Sequence, residues 1–567
     1  MSWKTLEHNG VLFSPHYKTK NIRMRINGRP VALNLLQEEM VYQWAKKKDT
    51  PYVQDETFQK NFVADLAREL NLNGLQYDEI DFADAYRLVD EEKAAREAMT
   101  KEERKALAAQ RKKIREELKE QYGTARMDGH VVEVGNYMVE PPGIFIGRGA
   151  HPLRGRWKRR VTHSDVTLNL GRKAPVPPGN WGDVVHRRNA TWLASWVDDL
   201  TNKTKYIWLA DTAKVKQNRD KIKYNKAIIL SKEIDRLKEC MINDMGSGDE
   251  KTMQIATVCY LIYRTAMRVG DEKDEDEADT VGATTLRKEH IKITKDSVKF
   301  DFLGKDSVRW QETVPAVGVD GQFRDNLKTL MANKKPSEEI FHGIKSTHVN
   351  AYYSKIVTGL SAKVFRTYLA SSTVVKYLVE HSGKRFRSDH ERLFHAKMAN
   401  LEAAKLCNHK RTIPKTFERS LQRRRDRLAE LKSKKTWERY QKALNKAKSL
   451  EPRTEKQKSA RQKRISRLKG IIQKRRAKHK EMVRRAKLQI DISTNTRDYN
   501  LGTSLRNYID PRILKFWADK FEVPPPEDDA PARKPLWEKV YPSALQKKFL
   551  WVKDERGSWN SISKKYV

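Results

Sequence analysis

The stretch LGTSLRNYIDPRILKFWADKF, residues 501–521, contains a well-marked helix start. Asp510 is a good N-cap residue, and Pro511 suits the first position of the helix that follows. The apolar side chains of this helix recur on one face, at Ile513, Phe516, Trp517 and Phe521. Tyr508 lies just before the helix, where the chain changes direction. Taken alone, a tyrosine at such a joint is more often a packed core residue than a reactive group.

A strongly basic segment precedes this stretch. Residues 418–488 hold 28 Lys and Arg against seven Asp and Glu, which is about half of the net charge of +41. Apolar residues recur there at steps of three and four. One stripe starts at Leu421 and shifts at Trp437, a second starts at Ile465, and Pro452 lies between the two stripes. The pattern predicts two antiparallel helices of roughly 34 residues, each about 50 Å long. Contact of their basic faces with a polyanion is favoured over a solvated hairpin without a partner.

Composition argues against several classes of protein. Of the 567 residues 38% are hydrophobic, which is too many for a disordered polycation. No segment reaches the ~20 uncharged residues of a membrane span, and the nearest, residues 254–267, contains Arg264. Three distant cysteines without a CxxC pair argue against a disulfide framework and a zinc ribbon, and the lack of a Walker A loop argues against ATP hydrolysis. With no signal-peptide pattern at its start, the chain is expected to be cytosolic or nuclear and to bind a polyanion.

Shifts in composition predict five segments, and the fold class is α+β multidomain. The segments are residues 1–103, 104–213, 214–412, 413–490 and 491–567. The first mixes short strands with helices, the second is β-rich, the third is mainly helical, the fourth contains the basic helices and the fifth is small and helical. A single helix is predicted from about residue 91 to about residue 121. In the third segment Val298, Phe300 and Phe302 alternate with polar residues, which predicts a hairpin strand.

Several segments resemble those of one enzyme family. TSLRNYIDPRI resembles the nucleophile segment of eukaryotic-type IB DNA topoisomerases. Further segments resemble that family's catalytic core in the family's order: RTAMRVGDEKDEDEADTVGATTLRKEHI, FDFLGKDSVRW, GLSAKVFRTYLAS and AKLCNHKRTIPKTFE. WKTLEHNGVLFSPHY and EPPGIFIGRGAHP resemble its DNA-clamping cap. The resemblance extends over nearly the whole chain, and the basic segment lies where the family carries its linker.

The resemblance implies a fold and an activity for each segment. Residues 1–103 and 104–213 would form a mixed α/β cap that clamps DNA, and residues 214–412 a mainly helical, tyrosine-recombinase-like catalytic core. The basic helices would be an antiparallel coiled-coil linker, followed by a small helical C-terminal domain. The implied enzyme is a monomer that surrounds double-stranded DNA, nicks one strand through a 3′-phosphotyrosine, allows rotation and reseals the strand. The implied reaction uses no metal, no cofactor and no ATP.

Five residues match the family's catalytic positions. Arg268 in TAMRVG and Arg366 in KVFRTY would clamp the phosphate, and Lys305 in LGKDS would donate a proton to the leaving oxygen. His409 in CNHKR would be a further phosphate ligand, and Tyr508 would be the nucleophile. From the local sequence, Arg268 is expected to end an apolar helix, and His409 is expected to follow a helix whose dipole favours its protonated form.

These residue types suit displacement at a phosphodiester. The reaction adds negative charge to the phosphoryl oxygens, and preorganised donors that meet this charge are usually the largest catalytic contribution. A guanidinium group binds two oxygens at once, which an ammonium group cannot do. A lysine that reaches the leaving oxygen can supply its proton.

Four further residues are expected to contact DNA. Arg148 in FIGRGAHP would contact DNA near the break. Asp306 and Asn507 adjoin the proposed proton donor and the tyrosine, so they should line the same cleavage pocket. In this family that pocket accepts camptothecin-type poisons. Lys363 lies three positions before the second arginine, where tyrosine recombinases usually carry histidine.

The chain departs from the family in four places. The acidic loop at residues 271–279 is one residue shorter, and Leu153 stands where the family often has lysine, with Arg154 beside it. The acidic loop is either a solvated loop or one lip of the clamp that meets a basic lip on the cap around the duplex, and in the second case these departures predict that the closing contact is shifted. The chain starts at the cap, so nuclear targeting would come from basic runs such as QKRRAKHK, and an organellar or viral origin stays open. PPPEDDAPARKPLW is expected to be a surface loop.

Two other functions stay open at this stage. A tyrosine recombinase shares the catalytic set but assembles as a tetramer, which the clamp-like cap does not suggest. A basic architectural DNA-binding protein would use Tyr508 for structure alone. Recombination on paired sites would identify the first. Replacement of Tyr508 by phenylalanine tests the second, because a nucleophilic tyrosine requires that relaxation of supercoiled plasmid vanish in that variant while DNA binding persists.

Overall fold

The structure is a computed structural model that describes residues 2–270, 281–304, 308–382, 386, 388–521 and 535–567. The chain forms two compact units, one mainly of residues up to Asp220 and one mainly of residues from Lys221 onward. Helices and short strands occur together, so the predicted α+β multidomain class is confirmed. Among the described residues, every helix is too short or too polar to span a membrane.

The first unit contains short strands in separate small sheets. The strands are β1 (Leu6–His8), β2 (Met24–Ile26), β3 (Arg29–Val31), β4 (Ile80–Asp81), β5 (Thr124–Met127), β6 (His130–Glu133), β7 (Gly143–Ile144), β8 (Trp157–Lys158), β9 (Thr167–Asn169), β10 (Asp183–Val185), β11 (Trp192–Asp198) and β12 (Lys203–Trp208). They pair in the orders β1-β5-β6, β3-β2-β4, β7-β8 and β10-β9-β11-β12. The β10–β9 pairing is parallel, and the other pairings are antiparallel.

Two apolar clusters hold the first unit together. One surrounds Trp44, which stacks on Phe62 with ring centroids 4.4 Å apart. The other packs against the four-stranded sheet around Leu168. Burial of such large aromatic side chains stabilises each cluster.

The helices of the first unit are α1 (Leu35–Ala45), α2 (Glu56–Glu69), α3 (Ala83–Ala98) and α4 (Lys101–Tyr122). The predicted single helix over residues 91–121 is wrong, because α3 ends before α4 begins. Thr100 lies between them and accepts a hydrogen bond from the Glu103 backbone, while the Glu103 carboxylate accepts one from the Thr100 backbone. This capping box starts a new helix instead of continuing the old one.

The elements from Lys214 onward are mostly helical. The helices are α5 (Lys214–Met245), α6 (Glu250–Thr265), α7 (Val319–Met331), α8 (Ser346–Ile356), α9 (Ala362–Ser382), α10 (Asp389–Leu406), α11 (Phe417–Ser433), α12 (Glu438–Ser449), α13 (Glu455–Asn495), α14 (Leu501–Asn507), α15 (Pro511–Lys520), α16 (Leu536–Val540), α17 (Ser543–Lys548) and α18 (Trp559–Ser563). The strands β13 (Ile291–Ile293), β14 (Ser297–Gly304) and β15 (Val308–Pro315) form one sheet in that order. The alternating burial along β14 confirms the predicted strand.

Helices α11, α12 and α13 form the basic arm, residues 417–495. The arm is antiparallel, because Arg461 donates to the Ala447 carbonyl at 3.0 Å and His479 lies 2.6 Å from the Leu431 carbonyl. The prediction of two helices is wrong for the first half. The first half of the arm is instead two helices, because the chain is extended at Lys434. This break lies close to Trp437, where the apolar stripe changes register.

Candidate active site

Helix α9 positions Arg366 in its second turn. Arg366 is only 4% exposed, and its Nη2 donates to the Cys407 carbonyl at 3.1 Å. The Cys407 carbonyl lies just past the end of α10, so the guanidinium group is held between two helices. Because this hydrogen bond uses Nη2, the Nη1 atom of Arg366 can donate to a second acceptor.

Arg268 follows α6 on an irregular segment. The expectation that Arg268 ends the helix is wrong, because α6 ends at Thr265 and Ala266 adopts a left-handed backbone with φ of 50°. The segment is instead fixed by the backbone N–H of Ala283, which donates to the Arg268 carbonyl at 2.8 Å. Close approach also depends on Gly270, where a Cβ would lie only 2.9 Å from Gly282 Cα.

Tyr508 lies between two helices, as the sequence predicts. It caps the C-terminal end of α14, and its N–H donates to the Ser504 carbonyl at 2.9 Å. Helix α15 starts at Pro511 with Asp510 as the N-cap residue, which confirms that prediction. Ser371 on α9 donates to the Tyr508 carbonyl at 3.2 Å and accepts from the Asp510 N–H at 3.0 Å. The backbone of the tyrosine is therefore attached to the helix that carries Arg366.

Two arginines converge on the phenol of Tyr508. The Nη1 atoms of Arg366 and Arg268 donate to Tyr508 Oη at 3.0 Å and 3.3 Å. The Arg366 guanidinium carbon also lies 4.7 Å from the centre of the tyrosine ring, and the tyrosine is only 6% exposed. Residues separated by 142 and 240 positions along the chain are thus brought to one oxygen atom.

The site carries concentrated positive charge. In the part of the chain that the structure describes, the guanidinium groups of Arg268 and Arg366 pair with a phenol and a carbonyl but not with a carboxylate. Burial lowers the pKa of Arg268, and the neighbouring Arg366 cation lowers it further. Such a cluster favours an anionic ligand.

His409 lies beside the tyrosine but is neutral. Its ring centroid is 5.3 Å from that of Tyr508, and its Nδ1 is 2.7 Å from Ser504 Oγ. The expectation that the helix dipole favours a protonated His409 is wrong. Burial, with the cations of Arg366 and Arg268, lowers the pKa of His409 to about 3. The ring can therefore serve as a neutral donor or acceptor near pH 7 but not as a cation.

Two of the residues predicted to contact DNA are close in sequence to residues of the site, Asn507 to Tyr508 and Lys363 to Arg366. Asn507 is half-buried, and its carbonyl accepts a hydrogen bond from Lys223 at 3.0 Å. Lys363 is exposed in the first turn of α9, three residues before Arg366. An exposed lysine there is accessible to a phosphate backbone, whereas Arg366 is not exposed.

The other predicted positions lie elsewhere or outside the described residues. Arg148 is an exposed residue of the first unit, and in the same unit Arg154 pairs with Asp55 at 2.9 Å. Lys305, Asp306 and the acidic loop at residues 271–279 lie outside the described residues, as does most of the proline-rich segment.

Sequence reasoning missed the residues that support the site. Asp510 is fully buried and binds the Arg512 side chain, while Tyr566 Oη donates to Asp510 Oδ2 at 2.8 Å. Ser372 on α9 donates to the Tyr566 carbonyl at 2.6 Å. Ordinary serines and a tyrosine carry no local signal for such roles, since their partners are distant in sequence.

Comparison with known proteins gives three family matches along the chain. The family described as "Eukaryotic DNA topoisomerase I, DNA binding fragment" matches residues 1–209, and "Eukaryotic DNA topoisomerase I, catalytic core" matches residues 212–444. A third, "C-terminal topoisomerase domain", matches residues 480–561. The candidate residues Arg268, Arg366 and His409 lie in the second match, and Tyr508 lies in the third.

Individual relatives match over nearly the full chain. DNA topoisomerase 1 alpha from Arabidopsis thaliana is 35% identical over 97% of this chain and 58% of its own length. DNA topoisomerase I, mitochondrial, from Homo sapiens is 34% identical over 97% of this chain and 90% of its own length. DNA topoisomerase 1 from Homo sapiens is 33% identical, with 98% and 71% covered. The chain therefore spans little more than half of the plant relative.

Proposed function

Because the chain belongs to the eukaryotic DNA topoisomerase I family, we propose that it is a type IB topoisomerase that relaxes supercoiled duplex DNA. It would nick one strand, hold the 3′ phosphate on Tyr508, allow the free end to rotate, and reseal the strand. Double-stranded DNA is the proposed partner and a monomer the proposed active form. The reaction would need neither a metal nor ATP.

The observation that carries this proposal is the pair of arginine donors on Tyr508 Oη. Hydrogen bonds from guanidinium groups stabilise negative charge that develops on the phenolic oxygen as it attacks. The same cations, at 3.0 Å and 3.3 Å from that oxygen, are placed to meet the charge that accumulates on a phosphoryl group next to it. A purely structural tyrosine does not require two guanidinium donors that have no carboxylate partner among the described residues.

The bond changes in the proposed step balance without an external reagent. Tyr508 Oη forms a bond to phosphorus while the bond from phosphorus to the 5′ oxygen breaks. The tyrosine proton passes to water, and Lys305 is the proposed donor of the proton that the leaving 5′ oxygen gains; the lysine then recovers a proton from water. Since the phosphotyrosine ester retains the energy of the broken bond, attack by the 5′ hydroxyl reverses the step.

Buried donors at the site support a role in phosphate binding. Arg366 Nε and His409 Nε2 are both buried without a hydrogen-bond partner among the described residues. Phosphoryl oxygens are suitable acceptors for such groups. We therefore propose Arg268, Arg366 and His409 as phosphate ligands.

The basic arm and the surface residues would act on DNA without making or breaking bonds. We propose that the arm is a coiled-coil linker whose phosphate contacts slow rotation, and that the core resembles that of tyrosine recombinases. Arg148, Lys363, Asp306 and Asn507 are the proposed DNA contacts around the break. Contacts of this kind carry little sequence information and weaken as salt rises. The nucleus is the proposed compartment, although one human relative is named as mitochondrial.

The deciding experiment is relaxation of a supercoiled plasmid with EDTA present and ATP absent. We expect full relaxation, followed by recovery of a peptide that contains Tyr508 linked to DNA through a 3′ phosphate when the reaction is trapped with denaturant. A protein that binds the plasmid without relaxing it would contradict the proposal. A 3′ linkage to a different residue would retain the activity but overturn the assignment of Tyr508.

A further inference from the structure

Ser504 contacts both the histidine and the tyrosine of the candidate active site. Its Oγ lies 2.7 Å from His409 Nδ1, and the residue is fully buried in α14. Its carbonyl accepts the backbone N–H of Tyr508 at 2.9 Å. One serine thus joins the ring of His409 to the segment that carries the proposed nucleophile.

Either neutral tautomer of His409 could make the bond to Ser504, and the buried polar atoms distinguish between them. Across the described residues, Nδ1 is the one hydrogen-bond partner of the Ser504 hydroxyl, and His409 Nε2 is buried with none. If Nδ1 carried the hydrogen, the hydroxyl hydrogen and the Nε2 lone pair would both be unsatisfied. If Nε2 carries it, the hydroxyl donates to Nδ1 and only one N–H lacks a partner. Because unsatisfied buried groups are costly, the second tautomer is favoured.

The groups that surround the ring oppose its double protonation. Arg366 on α9 and Arg268 after α6 act on His409 as cations, and the ring of Tyr508 packs against it. Cys407, two residues earlier, is a buried thiol beside the same two guanidinium groups. With two cations already present, a third positive charge in this buried region is unfavourable. The choice is therefore between the two neutral tautomers.

We propose that Ser504 is a positioning residue that donates its hydroxyl to His409 Nδ1 and so presents Nε2–H to a phosphoryl oxygen. That the acceptor is a phosphoryl oxygen rests on the proposed function. The position of the hydrogen on the His409 ring is a property of the protein without DNA. A ring with hydrogen on Nε2 can donate to an anionic oxygen, whereas the opposite tautomer would direct a lone pair at it. The hydrogen bond from Nε2–H strengthens as negative charge develops on the oxygen, and this requires no proton transfer.

The tautomer can be measured without DNA. Long-range ¹H–¹⁵N correlation spectra of the full chain, labelled at histidine, distinguish hydrogen on Nε2 from hydrogen on Nδ1, and His409→Gln identifies the signal. At pH 7 we expect the Nε2–H pattern in the unsubstituted protein and a mixture of tautomers in Ser504→Ala. Hydrogen on Nδ1 in the unsubstituted protein, or identical spectra for the two proteins, would overturn the proposal whether or not the protein relaxes DNA.

Cleavage kinetics test the consequence for the reaction. In single-turnover cleavage of a duplex at saturating protein, Ser504→Ala should slow the step about tenfold, which is the usual effect of one hydrogen bond. Ser504→Thr retains a hydroxyl and should restore both the rate and the spectrum. Thr503→Ala is the matched control, since it removes a neighbouring hydroxyl of α14, and its rate should change less than about twofold.

Two outcomes separate the proposal from the proposed function. If Ser504→Ala and Ser504→Thr lose rate equally while the Thr variant keeps the Nε2–H pattern, Ser504 acts through packing and the positioning role is refuted. If the unsubstituted protein cleaves no DNA, the proposed function fails, and the spectra still decide the tautomer.

Discussion

The basic arm contains a copy of the arginine–tyrosine geometry found at the candidate active site. Arg439 and Arg475 donate to Tyr440 Oη at 2.6 Å and 3.1 Å, and both guanidinium carbons lie 4.6 Å from the centre of its ring. The hydrogen bond from Arg439 lowers the pKa of Tyr440, with a further contribution from Arg475. By distances alone, Tyr440 would be as good a candidate nucleophile as Tyr508.

Burial and neighbours distinguish the two tyrosines. Tyr440 is partly exposed on the arm, where water competes with the guanidinium groups for the phenol and for any anion. Tyr508 is buried, its backbone is held by Ser371, and His409 packs against its ring. A paired guanidinium group therefore indicates a reactive tyrosine only where the surroundings exclude water and fix the geometry.

Removing one phenolic oxygen gives the largest expected effect. Tyr508→Phe should abolish plasmid relaxation and the covalent DNA adduct, because no other atom can form the ester bond. DNA binding should persist, since the arginines remain. Gel-shift and relaxation assays measure the two properties separately. Tyr440→Phe is the control with the same chemical change, and relaxation should stay within about twofold of normal; the reverse ranking would place the nucleophile on the arm.

Replacing one guanidinium group by an ammonium group should have the next largest effect. Arg366→Lys keeps the charge but loses the second donor and the bond to the Cys407 carbonyl, so cleavage should slow by about 10²- to 10³-fold. Arg475→Lys makes the same change beside Tyr440 and should leave the cleavage rate nearly constant. Single-turnover cleavage at saturating protein is the measurement. Equal effects in the two variants would mean that burial does not separate the two sites.

Removing charge from the arm should affect DNA binding and leave chemistry unchanged. Lys469 and Lys480 are exposed on α13, and the double substitution to glutamine should weaken binding modestly. Each phosphate contact that is lost should lower the slope of log affinity against log salt by about one. Gln473→Ala, between them on the same helix, should leave the slope unaltered. A change in the cleavage rate at saturating protein would show that the arm takes part in the chemical step.

The smallest expected effect concerns the stability of the fold in acid. The folded pKa of His409, about 3, lies below its ordinary value of 6.5, so the unfolded chain binds a proton that the native state does not. The free energy of unfolding should therefore be highest above pH 6.5 and fall as pH decreases toward 3, by at most about 1.4 kcal/mol per pH unit from this group. Denaturant unfolding at pH 7 and pH 5 measures the loss, and His409→Gln should reduce it. An unchanged pH dependence in that variant would contradict a neutral, buried His409.

Local secondary structure could be predicted from the sequence because the residues that cause it are close together in the chain. The start of α15 depends on Asp510 and Pro511, and the burial pattern of β14 follows directly from the alternation of its residues. The capping box of Thr100 and Glu103 is an equally local cause of the break between α3 and α4. The prediction of one continuous helix did not take this capping box into account. In the first half of the arm, the shift of the apolar stripe at Trp437 is visible in the sequence. The prediction of two helices did not include its consequence, which is a third helix.

By itself the sequence determined the concentration of basic charge, the α+β class and the identity of the segments that match a topoisomerase family, since each depends on composition or on short motifs. Only the tertiary structure decided which residues meet. Arg268, Arg366 and Tyr508 converge because α9 and the segments after α6 and α14 pack together, and spacing along a chain carries no information about that packing. The neutral state of His409 and the difference between Tyr440 and Tyr508 were decided in the same way, because solvation and neighbouring charge exist only once the chain has folded.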